Sequence, residues 1–515
     1  MNPTRREFLT TGVAAGALAA VTSALAKDKA GATPPSGVPS TLPTPVIAPM
    51  ASRPNVLYII MEDSGPHFGC YGEPLVQTPN LDQFAAQSVR FANAFCTAPV
   101  CSASRSALMT GCYQTYTGCH NHRTWAWNKK PLPTTAAHLC DWFRAAGYYT
   151  CNLQPAGKTK GKGPLGKLNG AGGSGKLDHN FVTTTPRAGD PFDGTDWAQR
   201  ANGQPFFAHI TIMETHKGGG WTVAREQPKS DLVDPTKLKL PPYYPDHPVA
   251  RDEYANYLDA VHLVDRYVGQ LLARLEKDGL AKNTVVVLSS DHGPLFRGKQ
   301  FLYDNGLRIP LIIRFPDGRS AGTVDDRLAH GVDLAPTMLA CAGITPPAGA
   351  MHGRDLFAAN APRPTHVFAA RDRMDTSIDR MRAVRTERFK YIRNYLPAVP
   401  YMQHNAYKEK SYPTWNLVKE LTKAGTITPP EAALFAAPTK PIEELYDLVA
   451  DPHEVKNLAA VPSHTKTLKE LRGLVDTWVK ETDRGTAYED PVEIYRGYSG
   501  HLPEEAGTDN ADTEK

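Results

Sequence analysis

Asn55-Val56-Leu57-Tyr58-Ile59-Ile60-Met61 runs without a charge into Glu62-Asp63. An unbroken apolar run of this length, rich in β-branched side chains, fits a strand buried on both faces of a parallel sheet. The two acids then fall at its carboxyl end. Thr284-Val285-Val286-Val287-Leu288 repeats the pattern ahead of Asp291-His292, and the more amphipathic Phe206-Phe207-Ala208-His209-Ile210-Thr211-Ile212-Met213 leads into Glu214-Thr215-His216. Between these two runs Tyr257, Val261, Val264, Val268, Leu271 and Leu275 fall at helical spacing, which predicts an amphipathic helix against the sheet. Strands alternating with helical periods predict an α/β layer fold. Ligands of open α/β sheets bind beyond the carboxyl ends of the strands, so three ends carrying acids and histidines predict one shared polar crest.

The alternation extends from Arg53 to about Pro364, and 515 residues leave room for a smaller second domain. In it, Arg382 to Ile392 reads as an antiparallel hairpin with one solvated face, and Leu468 to Glu481 as a closing amphipathic helix. The expected fold is a large mixed, mostly parallel sheet sandwiched by helices over 53–364, followed by a smaller α+β domain on an antiparallel sheet over 365–499. An acidic, mobile tail is expected over 500–515.

Upstream, Thr4-Arg5-Arg6-Glu7-Phe8-Leu9 precedes a run of small residues ending in Ala24-Leu25-Ala26. This resembles a twin-arginine export signal over 1–26, which implies transient contact with the twin-arginine (Tat) export machinery and a periplasmic or secreted product. Pro34, Pro35, Pro39, Pro43, Pro45 and Pro49 make 27–52 read as an extended tether, with folded structure beginning at Arg53. Lys+Arg 57 against Asp+Glu 53 gives a net charge of +4, and the scattered basic residues give no support for a nucleic-acid partner. Beyond the extreme N-terminus no apolar stretch is long enough to span a membrane. The 8 cysteines show neither zinc-ligand nor small-disulfide-framework spacing.

Cys101-Ser102-Ala103-Ser104-Arg105 opens a helical run that closes at Thr110-Gly111. A cysteine at a helix N-terminus, with an arginine one turn along, has its thiolate favoured by the helix dipole and the positive charge. Cys-x-Ala-x-Arg followed by Thr-Gly resembles the signature of type I sulfatases, members of the alkaline phosphatase superfamily. The likeness continues through Arg53 to Asp63, Thr78-Pro79-Asn80-Leu81-Asp82, Ser290-Asp291-His292-Gly293, Gly298-Lys299, Tyr303 to Pro310 and Glu444-Leu445-Tyr446-Asp447-Leu448. It covers nearly all of residues 53 to 482. The short Phe301-Leu302-Tyr303 spacing after Gly298-Lys299 is similar to the heparan N-sulfatase branch.

The resemblance implies that a formylglycine-generating enzyme oxidises Cys101 to formylglycine (3-oxoalanine). One hydroxyl of its hydrate attacks sulfur, and loss of a proton from the other then expels sulfate. It implies a divalent cation, Ca²⁺ or Mg²⁺, on Glu62, Asp63, residue 101, Asp291 and His292. Glu62 stands where the family usually has Asp, one methylene shorter. Lys299, read as an exposed pocket lysine, would contact sulfate, and His216 would protonate the leaving oxygen near neutral pH. The family's other lysine matches Lys158 or Lys176; Lys176 is preferred because Gly175-Lys176-Leu177-Asp178-His179 leads into the next ordered stretch. Arg105 would orient the nucleophile.

From the residues alone, His120 and His122 could face the pocket, and Arg371 and Arg373 could reach over it to read a sugar. The leading reading is a hydrolase of sulfate esters or sulfamates, its substrate a sulfated carbohydrate. A phosphonate or phosphate monoester hydrolase on the same scaffold, and an inactive glycan-binding protein, stand as alternatives.

Overall fold

In the computed structural model, β2 (Asn55–Met61) lies between β5 (Phe206–Ile212) and β6 (Thr284–Ser290), parallel to both. The structure describes residues 44–50, 53–124, 129–153, 175–183, 190–359, 362–428 and 434–483. Every residue of these three strands is buried. The polar residues of β5 are therefore internal, not the solvated face of an amphipathic strand: His209 is bonded to Asn152 Oδ1 at 3.0 Å. Alternate side chains of β2 divide between two cores, as the period of two dictates. Val56, Tyr58 and Ile60 pack with Trp142, Phe143 and Phe207 on one face. Leu57, Ile59 and Met61 meet the helix Pro248–Lys277 on the other, through Leu258, Val261, Val264, Val268 and Leu271. Fully burying one such aliphatic side chain is worth about 1.5–3 kcal/mol. That helix starts where Pro248 fills its first turn and the His247 ring accepts the Val249 N–H at 3.2 Å.

The sheet has 7 strands in the order β4 (Tyr149–Asn152), β5, β2, β6, β7 (Arg308–Arg314), β3 (Val89–Phe95), β8 (Thr323–His330). β7 is antiparallel to β6 and β3, and the remaining pairings are parallel. Folded structure begins before Arg53: Val46–Ile47 (β1) pairs with β9 (Ile344–Thr345), so the proline-rich stretch ends in a strand instead of a tether. A second sheet of 4 antiparallel strands comprises β10 (His366–Arg371), β11 (Met381–Thr386), β12 (Phe389–Asn394) and β13 (Glu443–Asp447).

The β11–β12 hairpin has no solvated face. Ala383, Ile392 and Tyr446 enter the larger core beside Phe301, Tyr303 and Phe435. Val384, Tyr391 and Leu445 are covered by Leu468, Leu471 and Val475 of the closing helix Thr465–Thr482. The export signal, most of the tether, Lys158 and the tail over 500–515 lie outside the described residues. Among the described residues no helix is long and apolar enough to cross a membrane.

Candidate active site

β2 and β6 end side by side, and their carboxyl ends carry Glu62-Asp63 and Asp291-His292 into one buried cluster. The Asp63 N–H donates to Asp291 Oδ1 at 3.0 Å, and its φ of 48° bends the chain so that both acids face the same space. A left-handed backbone at a non-glycine residue is uncommon and concentrates where function demands it. Cys101 enters from below as the first residue of the helix Cys101–Thr110, behind the extended Val100 and ahead of Gly111, whose φ of 67° closes the helix. Its Sγ lies 3.4 Å from His292 Nε2 and 3.7 Å from Asp63 Oδ1. His292 Nδ1 sits 2.8 Å from the Gly293 carbonyl, a contact that turns Nε2 toward Asp63 at 3.1 Å.

The cations alternate around these acids. Lys299 Nζ donates to Asp63 Oδ2 at 2.9 Å and Oδ1 at 3.2 Å, and lies 3.4 Å from His216 Nε2. Lys176 Nζ donates to Glu62 Oε1 at 2.6 Å. Arg105, one turn into the helix, bonds Glu62 Oε2 through Nη2, Asp291 Oδ2 through Nε at 3.1 Å and Thr211 Oγ1 through Nη1 at 3.0 Å. Lys176 thus reaches the crest, and Lys158 lies outside the described residues. Lys299 is 1% exposed, so it is a buried ion-pair partner and not an exposed pocket lysine.

Burial opposes ionisation of Glu62, yet Arg105 and Lys176 hold its carboxyl well below the ordinary range; Lys299 and His292 do the same for Asp63. Asp291 goes the other way: burial, with Glu62 beside it, raises its pKa. Burial also raises the Cys101 thiol, although Lys176 and Lys299 are near. The thiolate expected from the helix terminus is therefore not favoured, because desolvation outweighs the dipole. His216 is lowered to about 4 by burial and then by Lys299, so its imidazole is neutral at pH 7.

Ligand-type atoms of Asp63, Cys101, Asp291 and His292 all lie within 4.8 Å of one another. Two acids, an imidazole with its second nitrogen engaged, and a like-charge clash that raises Asp291 fit a hard divalent cation. Glu62 groups instead with Asp63, Cys101 and His216, and its two oxygens are engaged by Lys176 and Arg105. It pairs with these cations while belonging to a group of side chains that could itself hold a metal ion.

His122 is buried and groups with Cys101 and Asp178 within 4.8 Å. His120 is half-buried on the same loop, outside these groupings. His179 stacks on Phe181 at 5.2 Å, away from the crest. Arg371 and Arg373 do not read a sugar. Arg371 is buried against Asp379 at 2.9 Å, and Arg373 spends its guanidinium on the carbonyls of Asp375 at 3.1 Å and Arg123 at 3.3 Å. Sequence reasoning passed over Tyr407, whose ring lies 5.0 Å from Lys299 Nζ. Tyr407 arrives from a segment with no motif to announce it.

Comparison with known proteins identifies the family. The family model described as Sulfatase matches residues 54–344, and one described as N-sulphoglucosamine sulphohydrolase, C-terminal, matches 291–414. An ulvan-active sulfatase of Formosa agariphila is 32% identical over 84% of this chain and 75% of its own. The N-sulphoglucosamine sulphohydrolase of Homo sapiens is 26% identical over 84% of this chain and 91% of its own. A solved structure described as a complex with its substrate D-glucosamine-2-N,6-O-disulfate superposes with a TM-score of 0.55 at 20% identity, covering 84% of this chain and 100% of that one. With a family match over more than half of its length and a polar crest built of the residues that the likeness singled out, the chain belongs to the sulfatase family and is a sulfatase.

Proposed function

We propose that this sulfatase releases sulfate from a sulfated carbohydrate, as O-sulfate or sulfamate, with Cys101 oxidised to formylglycine and Ca²⁺ held by Asp63, Asp291 and His292. The observation that carries the reading is the convergence on one first-turn cysteine of Asp63, Asp291, His292, Lys176, Lys299 and His216. The buried thiol stays protonated and makes a poor nucleophile as it stands, which is the condition that oxidation relieves. The family's formylglycine supplies an oxygen nucleophile, and its cation draws charge from sulfate oxygens.

The chain's own groups do the rest. Lys299 and Lys176 present ammonium protons on either side of residue 101, where a sulfate loses its hydration shell. Backbone N–H groups of the first turn of the Cys101–Thr110 helix add partial positive charge. A departing sugar oxygen needs a proton, and neutral His216 beside Lys299 relays one from the ammonium. Arg105 does not touch substrate: it fixes Glu62 and Asp291 from beneath.

The relatives named for ulvan and N-sulphoglucosamine favour a glycan over a small aryl ester. The test is peptide mass spectrometry of residue 101 combined with sulfate release from defined sulfated mono- and disaccharides. Conversion with release upholds the reading. Faster turnover of aryl phosphonate monoesters would replace it with the phosphonate reading, and retained glycan without release would replace it with the binding one. The leader adds a proposal of its own: twin-arginine systems carry folded cargo, so residue 101 is oxidised before export to the periplasm. Aldehyde in the cytoplasmic precursor is the expected result.

A further inference from the structure

Arg123 lies in the loop beyond the nucleophile helix yet is tied to that helix. Its N–H donates to Ser102 Oγ at 2.8 Å, and its carbonyl accepts from Arg373 Nη2 at 3.3 Å. Between these anchors the backbone has a φ of 47°, a conformation that an arginine adopts only when its surroundings impose it. Asp178, with a φ of 51°, faces it: Arg123 Nε and Lys176 Nζ each stand 3.7 Å from Asp178 Oδ2. Two strained residues on separate segments are thus held so that their side chains meet beside residue 101.

Exposure then rises along one line. Cys101 is at 0%, the side chains of Lys176 and Asp178 are at 13% and 16%, and Arg123 is at 34%. A sulfate group reaching Cys101 along this line passes the guanidinium, and whatever the sulfate is attached to stays beside it. Charge points the same way. Glu62, Asp63, Asp291 and Asp178 are offset by Arg105, Lys176, Lys299 and Arg123 before any metal is counted. Among the described residues, a divalent cation on these carboxylates would leave positive charge beside Arg123 for the substrate's anionic groups to meet.

We infer that Arg123 is a specificity-determining residue that binds a second oxyanion of the substrate, on the sulfated sugar or its neighbour. The preferred substrate is therefore a sulfated saccharide with two negative groups. A guanidinium suits this because it offers paired N–H donors to a carboxylate or sulfate, where an ammonium offers a point charge. The second group is a uronate carboxylate or another sulfate, and both share this chemistry. The inference rests on the sulfated-carbohydrate reading above.

The test is calorimetric binding to calcium-loaded protein carrying Cys101→Ala, with Arg123 intact, Arg123→Lys or Arg123→Ala. The probes are a monosulfated neutral hexose, a disulfated hexosamine and a monosulfated disaccharide containing a uronate. With Arg123 intact, at least one dianionic sugar binds about tenfold or more tighter than the monosulfated hexose; Arg123→Ala removes that ratio and Arg123→Lys keeps part of it. Which sugar shows the ratio tells sulfate from carboxylate. A ratio unchanged in Arg123→Ala, or no ratio with Arg123 intact, overturns the assignment while monosulfate binding leaves the sulfate reading standing. Failure of all three sugars to bind brings down both.

Discussion

Two of the charge clusters among the described residues differ in how their acids are matched. Behind the crest, Asp304 and Glu454 alternate with cations: Lys390 Nζ bonds Asp304 Oδ1 at 2.5 Å and pairs with Glu454 Oε1 at 2.6 Å, while Arg385 reaches Asp304 Oδ2 at 3.2 Å. Close by, Glu444 is shared by Tyr303, Tyr401, Tyr446 and Asn394 at 2.7–2.9 Å, so its buried charge meets a donor on every side. At the crest, ligand-type oxygens of Asp63 and Asp291 lie within 4.8 Å of each other, and burial together with Glu62 raises the Asp291 pKa. The rear cluster ties the second sheet to the first, whereas the crest keeps unfavourable anion contacts that a cation would relieve. A fold pays for the second arrangement with stability that the first supplies.

The largest effects should separate the two. Cys101→Ala is expected to lower sulfate release by about 10³-fold or more while shifting stability by less than about 1 kcal/mol. Lys390→Met should do the reverse. It removes the cation paired with Glu454 and leaves Asp304 to Arg385 alone, a loss of about 3–5 kcal/mol, with turnover per folded molecule preserved. Calorimetric melting and sulfate release, measured on both variants, check the contrast; parallel losses in either variant would erase it. Lys299→Ala falls between them, because a buried lysine that neutralises Asp63 cannot be removed without some cost to folding.

The pH dependence of stability has opposite signs in the two places. Asp304 is half-buried, and Lys390 with Arg385 holds its pKa below the ordinary value of 3.8. Its contribution is present above that value and is lost as pH falls toward the folded pKa. Asp291 is raised above 3.8 by burial and Glu62, so its contribution is complete below 3.8 and disappears as pH rises through the folded pKa. At pH 7 without metal, Asp291 therefore weakens the fold. Asp291→Asn in chelator-treated protein is expected to raise the melting temperature at pH 7, and Asp304→Asn to lower it there and flatten the loss below pH 4. Calcium added back should stabilise the unaltered protein and leave Asp291→Asn nearly unmoved.

The same contrast explains what could be read from the sequence. Glu62-Asp63 and Asp291-His292 were legible because each follows an apolar strand, and strand ends in one sheet have to be neighbours. Cys101 was legible through the Cys-x-Ala-x-Arg and Thr-Gly resemblance, since a cysteine that merely starts a helix closed by Gly111 reads as structural. Arg371 and Arg373 misled because a short run of charges looks alike whether it is solvated or buried; only the fold shows that Asp379 waits for Arg371. The hairpin and Val46–Ile47 misled for a related reason: alternation and proline content describe a segment, not what comes to cover it. Lys176 was preferred to Lys158 on its downstream context alone, whereas the cations that hold Glu62 show only once both of its oxygens are seen with their partners.

Tyr407 sharpens the comparison at its smallest scale, since it is where the second region of the chain touches the crest. Asn405 caps the helix Ala406–Ser411 by accepting the Lys408 N–H, and Asp375 Oδ2 accepts the Tyr407 N–H at 3.1 Å. The ring is thereby held 5.0 Å from Lys299 Nζ and 6.1 Å from the His216 ring. A cation over an aromatic face gains about 0.5–2 kcal/mol, so Tyr407→Ala is expected to reduce kcat/KM by about threefold to thirtyfold through a loosened Lys299. Tyr407→Phe keeps the face and should remain within about twofold of the unaltered protein. If Phe fails as badly as Ala, the hydroxyl and not the ring is what matters at this position, and the contact between Lys299 and the aromatic face has no part in turnover.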